Sequence, residues 1–260
     1  MTDTLITRRT ALVTGASYGI GAAIAEVLAR DGFNVAVTEL KTDALADTLG
    51  KIAAQGARGH AVALDTRSQD SIEACLHEVV QTFGKLDLLV NNAGVVETAL
   101  VHKTSIEMWE RLLRVNLTGA FLWCKAVVPQ MVERKWGRIV NIGSTTSQKG
   151  YAYVAAYAAS KHGMLGLTRS LAMEVVKAGV TVNAVCPGYT DTDIVSEAVK
   201  AIVAKTGKDE AFAEASLTQY NPQGRLIRPE EVAAAVLWLV RPGSESVTGQ
   251  AISLSGGEIM

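Results

Sequence analysis

Short apolar runs alternate along this chain with longer amphipathic stretches. Runs at 10–13, 34–38, 59–64, 86–91, 138–142, 180–185 and 251–254 have the length and composition of buried strands. The six intervals between them can each house a helix, as at 20–30 and 231–240, where apolar positions recur with helical spacing. Strand and helix in repeated alternation predict an α/β fold: a doubly wound parallel sheet with right-handed crossovers and helices on both faces. The irregular part lies between Pro187-Gly188 and Arg228-Pro229. It contains two helical patterns, 193–205 and 209–217, parted by Thr206-Gly207. An excursion at a strand's carboxyl end overhangs the place where α/β sheets bind ligands, so 189–228 is read as a helical lid over a substrate. Gly, Pro and Ser fall singly at strand ends and never extend into a flexible tract, which favours one domain spanning 1–260.

Composition narrows the class. Hydrophobic residues make up 48% and charged ones 20%, the profile of a packed soluble domain. With 25 basic and 26 acidic side chains the formal charge is −1, and no run of five like charges occurs. Nothing here suggests a nucleic-acid track or an anionic membrane surface, so partners are expected to be small molecules. No apolar stretch reaches the ~18 residues of a membrane span. Cys75, Cys124 and Cys186 are odd in number and lack metal-ligand spacing, and they read as reduced, buried thiols of a cytoplasmic protein. Arg8-Arg9 runs straight into a strand without the apolar region that an export signal needs.

Candidate chemistry starts with Thr14-Gly-Ala-Ser-Tyr-Gly-Ile-Gly21, which follows the first strand and opens a helix. Gly15, Gly19 and Gly21 would let backbone approach a pyrophosphate, and the helix start offers unpaired N–H groups to the anion. Glu39, at the end of the second strand, can accept both hydroxyls of an adenosine ribose and would repel a 2′-phosphate. That favours NAD over NADP, as does the neutral Tyr18, although Lys41 is close in sequence. Alone, Glu39 could be a solvated charge. Tyr157 and Lys161, four residues apart, share a helix face. A phenol titrates near 10, and a neighbouring cation is expected to favour the phenolate and make the tyrosine usable as a base. Tyr151 and Tyr153 lack a lysine at i+4.

With these motifs, Asn91-Asn-Ala-Gly94, Asn116, Ser144 and Pro187-Gly188 in order, the chain resembles the short-chain dehydrogenase/reductase family from end to end. The resemblance implies a Rossmann-like sheet of seven parallel strands, order 3-2-1-4-5-6-7, assembled as a homotetramer. It implies a catalytic group of Asn116, Ser144, Tyr157 and Lys161. Tyr157 would be the base and Ser144 would hydrogen-bond the substrate oxygen. Lys161 would bind the nicotinamide ribose and hold the phenol's pKa down, and the helix around Asn116 would position a relay water. Cofactor contacts would come from Gly15, Ser17, Tyr18, Gly19, Ile20, Gly21, Glu39, Asp65, Thr66, Asn92, Ala93, Gly94, Tyr157, Lys161, Pro187, Gly188, Thr190 and Thr192. Asp65 would meet the adenine amino group, or else simply start a turn. Thr190 and Thr192 would meet the nicotinamide end, or else cap a helix. No metal is required.

Substrate contacts are expected from Ser144, Thr146, Val96, Tyr151 and Tyr189. Val95 and Val96 with Thr146 suit a less charged group than a small hydroxy acid, although Lys205 or Lys208 of the lid could supply a cation. Gly143 stands where many relatives carry serine, leaving one candidate serine. The expected activity is hydride transfer between NAD(H) and a secondary alcohol or ketone, best a 3-hydroxyacyl thioester or a cyclic alcohol. The alternatives are an NADPH-dependent 3-oxoacyl-carrier-protein reductase and, from another class, a non-catalytic dinucleotide-sensing module. Such modules typically lose the tyrosine or the lysine, and this chain retains both.

Overall fold

The computed structural model describes residues 8–260, so the first seven residues of the expected domain lie outside the described residues. Seven parallel strands form one sheet in the order β3-β2-β1-β4-β5-β6-β7, as expected. They are β1 (Thr10–Thr14), β2 (Asn34–Glu39), β3 (Gly59–Ala63), β4 (Leu88–Asn91), β5 (Gly137–Ile142), β6 (Val180–Pro187) and β7 (Ala251–Leu254). Two ends differ from expectation by two residues, and the others agree to within one. β4 begins at Leu88 and not at 86, because the Asp87 carboxylate turns back to accept from the Thr10 N–H at 2.9 Å. β6 runs on through Pro187, which a strand end tolerates, and the Gly188 N–H continues the pairing to the Leu254 carbonyl.

Alternate side chains of a strand face opposite ways, and here both sides find a core. Ala11 and Val13 of β1 enter one buried cluster with Val35, Val37, Val90 and Ile142. Leu12 between them enters the other, with Ala36, Leu89, Ile139 and Val182. The first cluster is closed by α1 (Gly19–Arg30) and the second by helices following β3 and β4, including the fully buried Trp123. Burial on both faces is why these strands read as unbroken apolar runs.

Between β2 and β3 lies α2 (Ala46–Ala54), and between β3 and β4 lies α3 (Gln69–Phe83), capped by the Ser68 hydroxyl and ended by Gly84 at φ 87°. β4 leads to α4 (Ile106–Leu113), a π-helical turn at Arg114–Thr118 and α5 (Gly119–Glu133). After β5 comes α6 (Ala155–Val175). The segment expected to form a lid holds α7 (Asp193–Thr206), ended by Gly207 at φ 67°, and α8 (Glu210–Thr218), capped by Asp209. Its two ends are paired: Asp191 donates to the Ile227 carbonyl and Ile227 to the Tyr189 carbonyl, each at 2.8 Å.

The last helix, α9 (Pro229–Val240), packs Val232, Ala233, Val236, Leu239 and Val240 within the chain in the cluster that contains α1, leaving Trp238 outside.

Candidate active site

The glycine turn is held open by small residues and by one amide. Asn92, just past β4, donates through Nδ2 to the carbonyls of Thr14 at 2.9 Å and Gly15 at 2.7 Å. The Thr14 hydroxyl accepts from the Asn92 and Ala93 N–H groups. A Cβ on Gly21 would meet Asn92 Nδ2 at 2.6 Å, and one on Gly15 would meet the Ala93 backbone at 2.9 Å. Gly15 and Gly19 also adopt φ of 62° and 56°, where a side chain is strained. Thr192, at the start of α7, leans over the turn, its Cγ2 2.9 Å from where a Gly19 Cβ would lie. The N-cap of α1, Tyr18, makes no side-chain cap, so the first N–H groups of this helix keep their donors for an anion. These features fit the diphosphate of a dinucleotide.

Glu39 is half-buried at the end of β2, where Oε2 accepts from the Ser17 hydroxyl at 3.2 Å and Oε1 from the Leu40 N–H at 2.9 Å. Next along the same edge, Asp65 is more constrained than its sequence suggested. Arg67 donates to Oδ1 from its backbone N–H and Nε and to Oδ2 from Nη2, at 2.8–2.9 Å. The guanidinium holds this carboxyl below its usual range. Arg67 was missed in the sequence, although a residue two past a turn-starting aspartate is well placed to return to it. Thr66 packs on the start of α5, its Oγ1 2.7 Å from a Cβ at Gly119.

At the centre, β5 leads through Gly143 to Ser144, which caps a single 3-10 turn at Thr145–Ser147. Ser144 Oγ accepts from the Thr146 N–H at 3.2 Å, and its own N–H donates to Ser147 Oγ at 3.1 Å. One lone pair of the serine is therefore engaged, and its O–H lies beside the Tyr157 phenol, where a substrate oxygen could receive it. Gly143 has a local reason: a Cβ there would lie 2.8 Å from Ser147 Oγ and 2.9 Å from Cys186 Sγ. Thr146 is buried, and its hydroxyl, with no fixed partner, neighbours the Tyr157 phenol together with that of Ser144.

Tyr157 and Lys161 occupy one face of α6, with Nζ 5.7 Å from the ring centroid. The expected pKa relationship is not what the protein groups produce. Burial pushes Tyr157 up to about 12, although the Ser144 and Thr146 hydroxyls favour the phenolate. Lys161 is itself buried, donates to the Ile142 carbonyl at 2.8 Å, and is pulled down to about 8 by desolvation. A cation that is costly to keep charged does not offset the burial of its neighbour.

Asn116, on the π turn and fully buried, is committed internally. Its Oδ1 accepts from the Val95 N–H at 2.8 Å, and Nδ2 donates to the Val95 carbonyl at 2.9 Å and to Ser160 Oγ at 3.1 Å. Ser160 in turn donates to the Tyr157 carbonyl. The side chain of Asn116 thus fixes the Val95 loop against α6. Gly94 lies between, a Cβ there being 3.3 Å from Asn116 Oδ1 and 3.7 Å from Lys161 Nζ.

Of the residues expected to meet the substrate, Val96 and Tyr189 are exposed and Tyr151 is half-buried. The Tyr151 phenol does not face open space: it donates to Glu258 Oε1 at 2.5 Å, and burial and that carboxylate raise its pKa. Thr190 is buried, its hydroxyl on the Gly188 carbonyl, and Thr192 donates to the Thr190 carbonyl, so neither caps α7 through its side chain. The three cysteines are all buried, and burial pushes Cys75 and Cys124 up to about 12. No helix among the described residues is long and apolar enough to cross a membrane.

Comparison with known proteins agrees with this geometry. The model of the family described as short chain dehydrogenase matches residues 9–202. A 3-oxoacyl-(acyl-carrier-protein) reductase of Vibrio cholerae is 41% identical, covering 97% of this chain and 98% of its own length. A putative ketoacyl reductase of Streptomyces coelicolor is 39% identical over 95% of both chains. Among solved structures, an actinorhodin polyketide ketoreductase variant with NADPH superposes with a TM-score of 0.92 at 38% identity, covering 96% of this chain and 97% of that one.

Proposed function

The chain belongs to the short chain dehydrogenase family, an oxidoreductase acting on a ketone or alcohol, and from that premise we propose that it interconverts a 3-oxoacyl and a 3-hydroxyacyl thioester, or a comparable cyclic ketone and alcohol, with NAD(H). The observation that carries the chemistry is the donor set around one point. The Ser144 hydroxyl, held by the Thr146 N–H, and the Tyr157 phenol stand side by side. Both can donate to a carbonyl oxygen as negative charge develops on it. When bound, the nicotinamide supplies the hydride or accepts it.

In the reductive direction Tyr157 gives its proton to that oxygen. A phenol raised by burial to about 12 carries its proton at neutral pH and has it to give. Lys161, fixed by the Ile142 carbonyl, holds its ammonium 5.7 Å from the phenol ring, within reach of the nicotinamide ribose that it would bind. Asn116 and Ser160 keep α6 and the Val95 loop in register.

Glu39 supports NAD(H). Its carboxylate, oriented by Ser17 and Leu40, suits ribose hydroxyls and would meet a 2′-phosphate with like charge. The second reading, NADPH-linked 3-oxoacyl-carrier-protein reduction, is favoured by the relatives named above and by the NADPH in the polyketide ketoreductase. Initial rates of acetoacetyl-thioester and cyclohexanone reduction with NADH and with NADPH decide between them. A preference for NADPH overturns the role given to Glu39, and no turnover of any ketone with either cofactor overturns the activity.

A further inference from the structure

We propose that Glu258 is a positioning residue for the substrate pocket, a buried carboxylate through which the C-terminal turn ties the catalytic loop to the lid. The inference rests on the ketoreductase reading but names a residue that no sequence motif marks.

Three segments distant in sequence meet at this carboxylate. From the loop between Ser144 and Tyr157, the Tyr151 phenol donates to Oε1, and the Lys149 ammonium stands 3.8 Å away. From the lid, Tyr220 packs on Tyr151 with ring centroids 6.3 Å apart. Lys149 lies over both rings, 5.2 Å from Tyr151 and 5.0 Å from Tyr220. The Glu258 side chain is only 6% exposed. Being so little hydrated, it holds its donors more firmly than a surface carboxylate does.

The turn that delivers Glu258 is itself built against the lid. Gly188 donates to the Leu254 carbonyl, and Glu258 and Ile259 return their N–H groups to Ser255. Gly256 and Gly257 adopt φ of 61° and 99°; a Cβ on the first would overlap the Asn221 side chain, and one on the second would lie 3.3 Å from Pro222. A narrow crevice beside this contact, too tight to hold a water, is lined by Tyr189, Leu217, Thr218 and Glu258 among others, so the same carboxylate lies between the C-terminal turn and the lid. Displacing the lid would expose a charged group and break the packing of Tyr220 on Tyr151. Seating of the substrate's tail and the placement of the loop bearing Ser144 are thereby coupled.

The test uses Glu258→Ala, Glu258→Gln and Tyr151→Phe in the full chain. Acetoacetyl-N-acetylcysteamine reduction with NADH and hydrogen exchange of the lid amides 193–218 are the readouts. Glu258→Ala should raise KM on the order of tenfold, the worth of one charge-assisted hydrogen bond, while kcat stays within about twofold. Lid amides should exchange faster, with those of β4 and β5 unchanged. Glu258→Gln keeps an acceptor for Tyr151 and should recover most of the loss. Tyr151→Phe should match Glu258→Ala, and the double variant should add little. Unchanged KM and lid exchange in Glu258→Ala overturn the proposal. If that variant does not fold, the same outcome in Tyr151→Phe does so. Should the wild-type protein fail to reduce the thioester, the ketoreductase reading falls, and lid exchange still decides the coupling.

Discussion

Lys161 donates to the carbonyl of Ile142 at 2.8 Å, joining the middle of the catalytic helix to the last residue of the strand that delivers Ser144. The bond fixes the ammonium where burial pulls its pKa to about 8. The charge is therefore held at a cost to folding. In the unfolded chain this lysine titrates near 10.5, so between about 8 and 10.5 the unfolded state binds more protons and stability rises with pH. Lys161→Met should abolish turnover yet stabilise the protein at pH 7, by roughly 1–3 kcal/mol. The gain should shrink as pH rises through that window. Thermal denaturation of both proteins from pH 6 to 10 measures it.

Tyr157 is raised by burial to about 12. Oxidation of an alcohol needs the phenolate, and its rate should go on rising through pH 10, while ketone reduction should be flat across neutral pH. A plateau in oxidation near pH 8 in steady-state profiles would show that the bound complex lowers this pKa by several units. Tyr157→Phe should bind NADH normally and lose turnover in both directions.

Glu39 is oriented by Ser17 and Leu40 toward the end of β2. Glu39→Ala should weaken NADH by on the order of tenfold, as expected for losing hydrogen bonds to a charged acceptor, and should improve NADPH. Fluorescence titration with each nucleotide reads the two effects separately.

Gly143 and Cys186 share one space. Gly143→Ser would place its Cβ 2.9 Å from Cys186 Sγ and 2.8 Å from Ser147 Oγ. Overpacking of this kind costs about 1–3 kcal/mol. Cys186→Ala should return part of that loss in the double variant, which urea denaturation of the four proteins would reveal.

The strands were legible because most of them are buried on both faces, and continuous apolar runs bounded by turn residues have few other readings. The dinucleotide cradle was legible because glycines at fixed offsets report close backbone approach, as Gly21 against Asn92 shows. What escaped depends on three dimensions. Arg67 donates to Asp65 and Ser160 accepts from Asn116, pairings that belong to no motif of the chain. The titration of Tyr157 followed depth of burial, which the i, i+4 relation to Lys161 does not encode.

The pairing of residue 190 with residue 227 closes the lid at its base. An insertion whose two ends are stitched together can change in length or sequence without altering the register of β6 and β7. Relatives could therefore exchange this segment as a cassette, acquiring new substrates on an unaltered sheet. The exchange has one condition: Tyr220 travels with the cassette, whereas Tyr151 and Glu258 remain behind, so a transplanted lid needs its C-terminal anchor supplied with it.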